Sequence, residues 1–359
     1  MFIWIIFYVD DFKILATDDA LGEEFHTFLK TKYADMKEVL NGFFLGIHEQ
    51  KFEEGSVFTK PEMLAEVFNA IIPDGPTITS KHFLEKPSPM TLEYVTNIEE
   101  PGEPADAVEY RSFLGKLQQQ LPVRPDIAFA LSKCGTRNSG TGPNVRDREA
   151  LVQVANYLWQ TQEKGLFLKR GDRQGREMMV RAIGFADAAG TTGSQSRSQI
   201  CTGFAITLLP RGASDEEVAR EIGTTGLVNV RSFRTSETPL SLTDAEIVGL
   251  VEETKDAIWV KSLMKDLHQE QVEATPIYND NASGLHLVTK YDGKHKRVRY
   301  ILDRVNFCLD KVKQGIVRYL YLKSEDLPVD AGTKPFVGGE HQRKALALLF
   351  FFFFLLIQH

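Results

Sequence analysis

The hydropathy pattern predicts an α+β amino-terminal part followed by an α/β part, the latter a mixed five-stranded sheet with flanking helices. Three observations carry this expectation. Two apolar runs, residues 2–9 and 12–16, bracket an acidic bend and lead into segments with helical spacing. From residue 178 three strand-like runs follow one another, then a long helix, then two more strands separated by helices. Between the parts, residues 73–108 change composition, with Pro73, Pro76, Pro87, Pro89, Pro101 and Pro104 among Glu93, Glu99, Glu100, Glu103 and Asp106.

Taken in order, the first two runs read as a hairpin with Asp10 and Asp11 at its bend. Leu21, Phe25, Phe28 and Leu29 recur at helical spacing, residues 42–60 read as a second strand pair, and 61–72 as a short helix with Pro61 in its first turn. Residues 73–108 read as a Pro-rich acidic linker. Helices are predicted over 108–120, 126–133 and 146–162, with a Gly, Ser, Asn and Pro loop over 134–145. Strands are predicted over 178–186, 201–209, 227–233, 274–279 and 315–322, a long helix over 242–267, and a helix after the last strand. The insert PRGASDEEVAREIGTTG between the second and third of these strands reads as a surface excursion.

Composition is that of a globular protein, 43% hydrophobic and 25% charged. The net charge of −7 gives no global basic field, so any nucleic-acid binding has to be local. Cys134, Cys201 and Cys308 lack metal-ligand spacing and read as reduced thiols of an intracellular, cytoplasmic or nuclear protein that is not secreted. The start MFIWIIFYV lacks a basic region and a cleavage site. The apolar run at 346–357, with its homopolymer of phenylalanine, falls short of the roughly 20 residues a bilayer span requires. It reads as low-complexity tail.

Four acids invite a chemical reading. Asp187 ends an apolar strand within GFADAAG, where a carboxylate is costly unless paired or bound to a metal, and where a turn residue is the plain alternative. Glu246 lies near the start of the long helix, with Thr243 as a candidate cap and the helix dipole as an alternative role. Asp280 in PIYNDN follows a strand and could cap the next helix. Asp330 in LPVDAGTKPF could belong to a turn. Gathered on one edge of a mixed sheet, the four would repel strongly without cations, and two magnesium ions would suit their all-oxygen chemistry.

In order, FADA, TDAEIVGL, YNDN and VDAGTKPF resemble the strings YxDxDWAG, STEAEY, DNxxA and ADxxTKxL of the ribonuclease H domain of copia-type long-terminal-repeat retrotransposon Pol polyproteins. Upstream, FYVDD with FKILATDD resembles the reverse-transcriptase palm turn and FLGI the strand after it. YRSFLGKLQQQLPVRPDIAFALS and NYLWQTQEKGL are similar to the family's YRxxxGxLxYLxxxTRPDI and RYLxGTxxxGL segments. The resemblance covers about residues 3–336. It implies a partial palm over 1–72, a linker over 73–108, a helical thumb or connection over 109–175, a ribonuclease H-like domain over 178–336 and a low-complexity tail over 337–359.

By this resemblance Asp187, Glu246, Asp280 and Asp330 would bind two Mg²⁺ ions and cut the RNA strand of an RNA/DNA hybrid. Asp10 and Asp11 would be two carboxylates of an incomplete polymerase site, and the rest of a Pol polyprotein a potential partner. The chain departs from the pattern at Ala188 and Ala189, at Phe233, Arg234 and Thr235, and at Arg299, Tyr300 and Ile301. Those departures leave a second reading open, a non-catalytic nucleic-acid-binding module. For contact with a duplex the candidates are Lys290, Lys294, Lys296, Arg297, Arg299 and Arg304, interleaved with Tyr291, His295 and Tyr300. A solvated basic helix start is the alternative for that stretch.

Overall fold

The two leading apolar runs pair as an antiparallel hairpin, β1 (Ile3–Tyr8) with β2 (Asp11–Ala16), in a computed structural model. The structure describes residues 2–9, 11–33, 35–37, 42–73, 88–138, 142–170, 178–190, 197–291 and 300–335. Helix α1 (Asp19–Lys32) follows, capped by the Asp18 side chain, and buries none of its side chains. Strands β3 (Phe43–Phe44), β4 (Ile47–Lys51) and β5 (Gly55–Thr59) form the next sheet, and α2 (Pro61–Ile71) starts on the expected proline.

Of the linker expected over 73–108, residue 73 and residues 88–108 are described, and from residue 88 on it is not a free spacer. It carries α3 (Leu92–Thr96), and Met90, Tyr94, Val95 and Ile98 are buried in the helical core. Proline content marked the stretch as extended, but its spaced apolar residues decide where it packs. Helices α4 (Ala107–Gln118), α5 (Ala128–Gly135) and α6 (Val145–Gln160) complete that core together with α2, around Tyr110, Leu117, Leu151 and Leu158. Asp106 caps α4, and Asn144 with Asp147 forms a capping box on α6. Strand β6 (Leu166–Lys169), unforeseen in the sequence, adds to β5 and closes the four-stranded antiparallel sheet β3-β4-β5-β6.

The second sheet is built on β7 (Met178–Ala189), which pairs antiparallel with β8 (Gln199–Pro210). The insert after β8 is not irregular throughout: Ser214 caps a short helix, α7 (Asp215–Glu221), whose Val218 is buried. Strand β9 (Leu227–Arg234) adds to β8. The long helix α8 (Leu242–Asp266) then crosses to β10 (Thr275–Asn279), and α9 (Ala282–Lys290) and α10 (Leu302–Lys313) lead to β11 (Val317–Tyr321). The order is β11-β10-β7-β8-β9, with β11, β10 and β7 parallel and β7, β8 and β9 antiparallel. This is the expected ribonuclease H-like mixed five-stranded sheet with flanking helices.

Side chains alternate along β7 with the period of a strand. Ala182 and Ala186 face the core built with α8, α9 and α10, while Ile183 and Phe185 face a second core with Val218, Leu227, Val329 and Ala331. A final helix was expected after β11. Short 3-10 turns, Ser324–Asp326 and Pro328–Gly332, stand there instead, because Pro328 and Gly332 bound a run too short for a helix. No helix among the described residues is long and apolar enough to cross a membrane, and the three cysteines are free and buried.

Candidate metal centre

The parallel register of β7 and β10 is what brings the first two acids together. Gly184 pairs with Ile277 and Phe185 with Tyr278, so the same register carried two residues further sets Asp280 level with Asp187. Asp187 lies two residues before the carboxyl end of β7 and Asp280 one residue past that of the adjacent β10. Asp280 is half-buried and does not cap α9, because Asn281 does, accepting from the Gly284 amide.

Glu246 arrives from the other side of the sheet. The cap of α8 is Ser241 rather than Thr243, which puts Asp244 in the first turn and Glu246 in the second, facing β7. Helix α8 lies close to the sheet at Gly249: a Cβ there would sit 3.3 Å from Ile200 and 3.7 Å from Ala186. One turn earlier on that face, Glu246 therefore overhangs the end of β7. The Asn279 amide Nδ2 donates to Glu246 Oε2 and to the Ala186 carbonyl, both at 2.8 Å, so one side chain ties β10, β7 and α8 together.

Asp187, Glu246 and Asp280 each present a carboxylate oxygen within 4.8 Å of the others. Asp330 is buried beside this trio but outside its mutual reach. Its Oδ1 is ion-paired with the Lys334 ammonium and also accepts from Ser324 Oγ at 3.4 Å. The next turn reaches Asp187 directly, the Thr333 hydroxyl donating to Asp187 Oδ2 at 2.6 Å. Gly332 permits this approach, since a Cβ there would overlap the Cys201 side chain on β8.

Electrostatics follows from that crowding. Burial pushes the Asp187 carboxyl up to about 6, helped by Asp330 and Asp280 and opposed by the Thr333 hydroxyl. Burial pushes Glu246 further, to about 9, with the charges of Asp187 and Asp280 adding and the Asn279 amide opposing. Two like charges about 4 Å apart repel by roughly 4 kcal/mol at the effective dielectric of a protein surface. The trio thus has two ways to settle, by holding protons or by holding a cation. Its donors are all carboxylate oxygens with no imidazole, and burial keeps the neighbouring Cys201 thiol well above its usual range. That donor set fits a hard divalent cation.

The remaining predicted residues are placed differently. Asp11 is exposed at the start of β2 and belongs to no acid cluster among the described residues, while Asp10 lies outside them. Lys290 is exposed at the end of α9. Arg304 on α10 is ion-paired with Asp244 and with Glu237, both at 3.3 Å, and so anchors the start of α8. Lys294, Lys296, Arg297, Arg299 and the 337–359 tail lie outside the described residues. Asn279, Thr333 and Lys334 were within the motifs YNDN and VDAGTKPF, but nothing in their spacing shows which acid each would serve.

The strand order and its connectivity are those of a ribonuclease H-like fold. No protein-family model matches the chain. It is 24% identical over 335 residues to a retrovirus-related Pol polyprotein from transposon RE2 of Arabidopsis thaliana, covering 93% of this chain and 21% of that protein. It is 24% identical over 336 residues to the one from transposon RE1 of the same plant, covering 93% and 20%. Over 240 residues it is 27% identical to the one from transposon TNT 1-94 of Nicotiana tabacum, covering 67% and 16%. The chain thus spans about one fifth of the length of the curated relatives it matches over most of its own length. These likenesses bear out the resemblance to copia-type retrotransposon Pol polyproteins.

Among solved structures, LC11-RNase H1 in complex with an RNA/DNA hybrid matches with a TM-score of 0.28 and 11% identity, over 41% of this chain and 88% of that one. LC11-RNase H1 isolated from compost matches with a TM-score of 0.27 and 12% identity, over 41% and 87%. The ribonuclease H-like fold stands on the strand order and register, not on these scores.

Proposed function

We propose that residues 178–336 form a ribonuclease H-type unit that hydrolyses the RNA strand of an RNA/DNA hybrid with Mg²⁺. The observation that carries this reading is the trio Asp187, Glu246 and Asp280, three carboxylates within 4.8 Å of one another at the carboxyl edge of a mixed sheet. These three would hold the cation, and Asp330 would complete the set for a second ion. When bound, the metal supplies positive charge and Lewis acidity toward a phosphodiester. Asn279 fixes the Glu246 carboxyl, and Thr333 fixes that of Asp187, so that their oxygens converge without rearrangement.

Lys290, with Lys294, Lys296, Arg297 and Arg299, would contact the phosphates of the duplex. Arg304 is left out of that set because its guanidinium already serves α8. The amino-terminal 1–72 would be palm-derived and 109–175 a thumb or connection. The thumb would extend to α2 and to residues 88–108, which share its core. No polymerase activity is proposed, since Asp11 belongs to no group of three or more clustered acids among the described residues.

The test is incubation of the full chain with an end-labelled hybrid and Mg²⁺. Cleavage of the RNA strand is expected, lost with chelator and in Asp187→Asn. Cleavage by Asp187→Asn at the parent rate overturns the assignment, and hybrid binding without cleavage by the parent replaces it with the non-catalytic module.

A further inference from the structure

We propose that Lys334 is a built-in cation at the fourth acid, so that this site takes one divalent ion readily and a second only by displacing the lysine ammonium. The inference rests on the metal-site reading above and assigns a positioning role to a residue that reading does not use.

Three acids are in mutual reach, and the fourth is already partnered. Lys334 Nζ is ion-paired with Asp330 Oδ1 at i,i+4 spacing, and the pair is asymmetric: the Asp330 side chain is 3% exposed and that of Lys334 50%. The carboxylate is therefore fixed in the site, while the ammonium sits at its mouth on a flexible stem with water beside it. Its charge acts on Asp187 and Asp280 as well as on Asp330. Such an ammonium supplies one positive charge where a second metal ion would bring two, and it repels that ion from the carboxylate it already holds.

The backbone holds this arrangement in place. Thr333, the residue before Lys334, is pinned to Asp187 by its hydroxyl at 2.6 Å, and its amide donates to the Asp330 carbonyl at 3.2 Å. Pro335 follows directly. The lysine can swing outward by side-chain rotation alone, with no change in the turn that carries Asp330.

The experiment is Mn²⁺ titration of the full chain, read by electron paramagnetic resonance of free Mn²⁺ and by calorimetry, without substrate. The parent is expected to bind one ion, with a second weaker by about tenfold or more. Lys334→Met should strengthen the second by about tenfold while the first moves only a few-fold, Lys334→Arg should behave as the parent, and Asp330→Asn should remove the second in either background. A Lys334→Met titration that superimposes on the parent's, with one ion or with two, overturns the inference and leaves the metal-site reading standing. If neither protein binds Mn²⁺, both fall together. Lys334→Met takes the counter-ion from a carboxylate that is 3% exposed, so both proteins are titrated well below their circular dichroism melts, and Lys334→Arg, which keeps the charge, checks that a changed titration reports on the site.

Discussion

Helix α8 carries two buried glutamates, two turns apart on the face it turns to β7, in regions of opposite character. Glu246 overhangs the sheet edge among Asp187 and Asp280. Glu253 lies in the middle of the sheet, fully buried, where its Oε1 accepts from the Phe185 amide at 3.2 Å and no metal cluster is within reach among the described residues. Burial pushes both carboxyls up. A raised carboxyl is thus not by itself a site. What separates the two is the company at the end of β7: at the edge other acids converge, and in the interior the Phe185 N–H meets Oε1 while Oε2 is buried with no hydrogen-bond partner.

Exchanging each carboxylate for its amide gives the widest separation. Glu246→Gln should reduce Mn²⁺ affinity by about a hundredfold or more, removing one of three ligands that cannot be replaced from the surrounding core. Glu253→Gln should leave it within about twofold, since that carboxyl takes no part in the cluster. Equal losses in a titration of the two variants would dissolve the distinction.

Next in size is the support of the edge. Asn279→Ala removes the amide that orients Glu246 and should cost about 10- to 100-fold in metal affinity. Gly332→Ala places a methyl against Cys201, and the resulting overpacking should destabilise the fold by about 1–3 kcal/mol in urea unfolding. Trimming the obstruction in Gly332→Ala with Cys201→Ala should recover part of that loss.

The pH dependence sharpens the comparison through its sign. With Asp187 held at about 6 and Glu246 at about 9, both above their unfolded values, the metal-free native state retains protons that the unfolded chain has released. The stability that these two groups contribute in chelator should therefore be full below pH ~4 and fall as pH rises through 6 and towards 9, by up to about 1.4 kcal/mol per pH unit for each group. Divalent affinity should run the opposite way and rise over the same window, because binding requires the carboxylates free of protons. Glu246→Gln should flatten the alkaline limb of both curves, whereas Glu253→Gln should flatten only the stability curve. The smallest effect expected is that of Arg304→Ala, at or below about 1 kcal/mol. Its salt dependence of hybrid binding should match the parent's, and a slope reduced by about one unit would return Arg304 to the phosphate contacts.

Much of this was legible in the residue order. The apolar runs at 178, 201, 227, 274 and 315 each became strands of the second sheet within a few residues of their expected ends, and the periodicity of 242–267 became α8. The motif order was borne out by the Pol relatives. Local pattern was less informative where an element depends on a distant partner. Strand β6 exists because β5 offers an edge, and residues 88–98 are ordered because α4 and α6 leave room for Met90 and Tyr94.

The sequence by itself determined which residues carry charge at the ends of apolar runs, and the alternation and helical spacing that send the rest inward. Only the tertiary structure decided which acids meet. It set Asp280 level with Asp187 through a strand register spanning 93 positions, and brought Glu246 over the same edge by the close passage of α8. It also gave Asp330 to Lys334 and left Glu253 outside the acid cluster. The physical reason is that hydropathy acts residue by residue, whereas a carboxylate's role is set by the charges and donors within a few ångströms, and those come from remote parts of the chain.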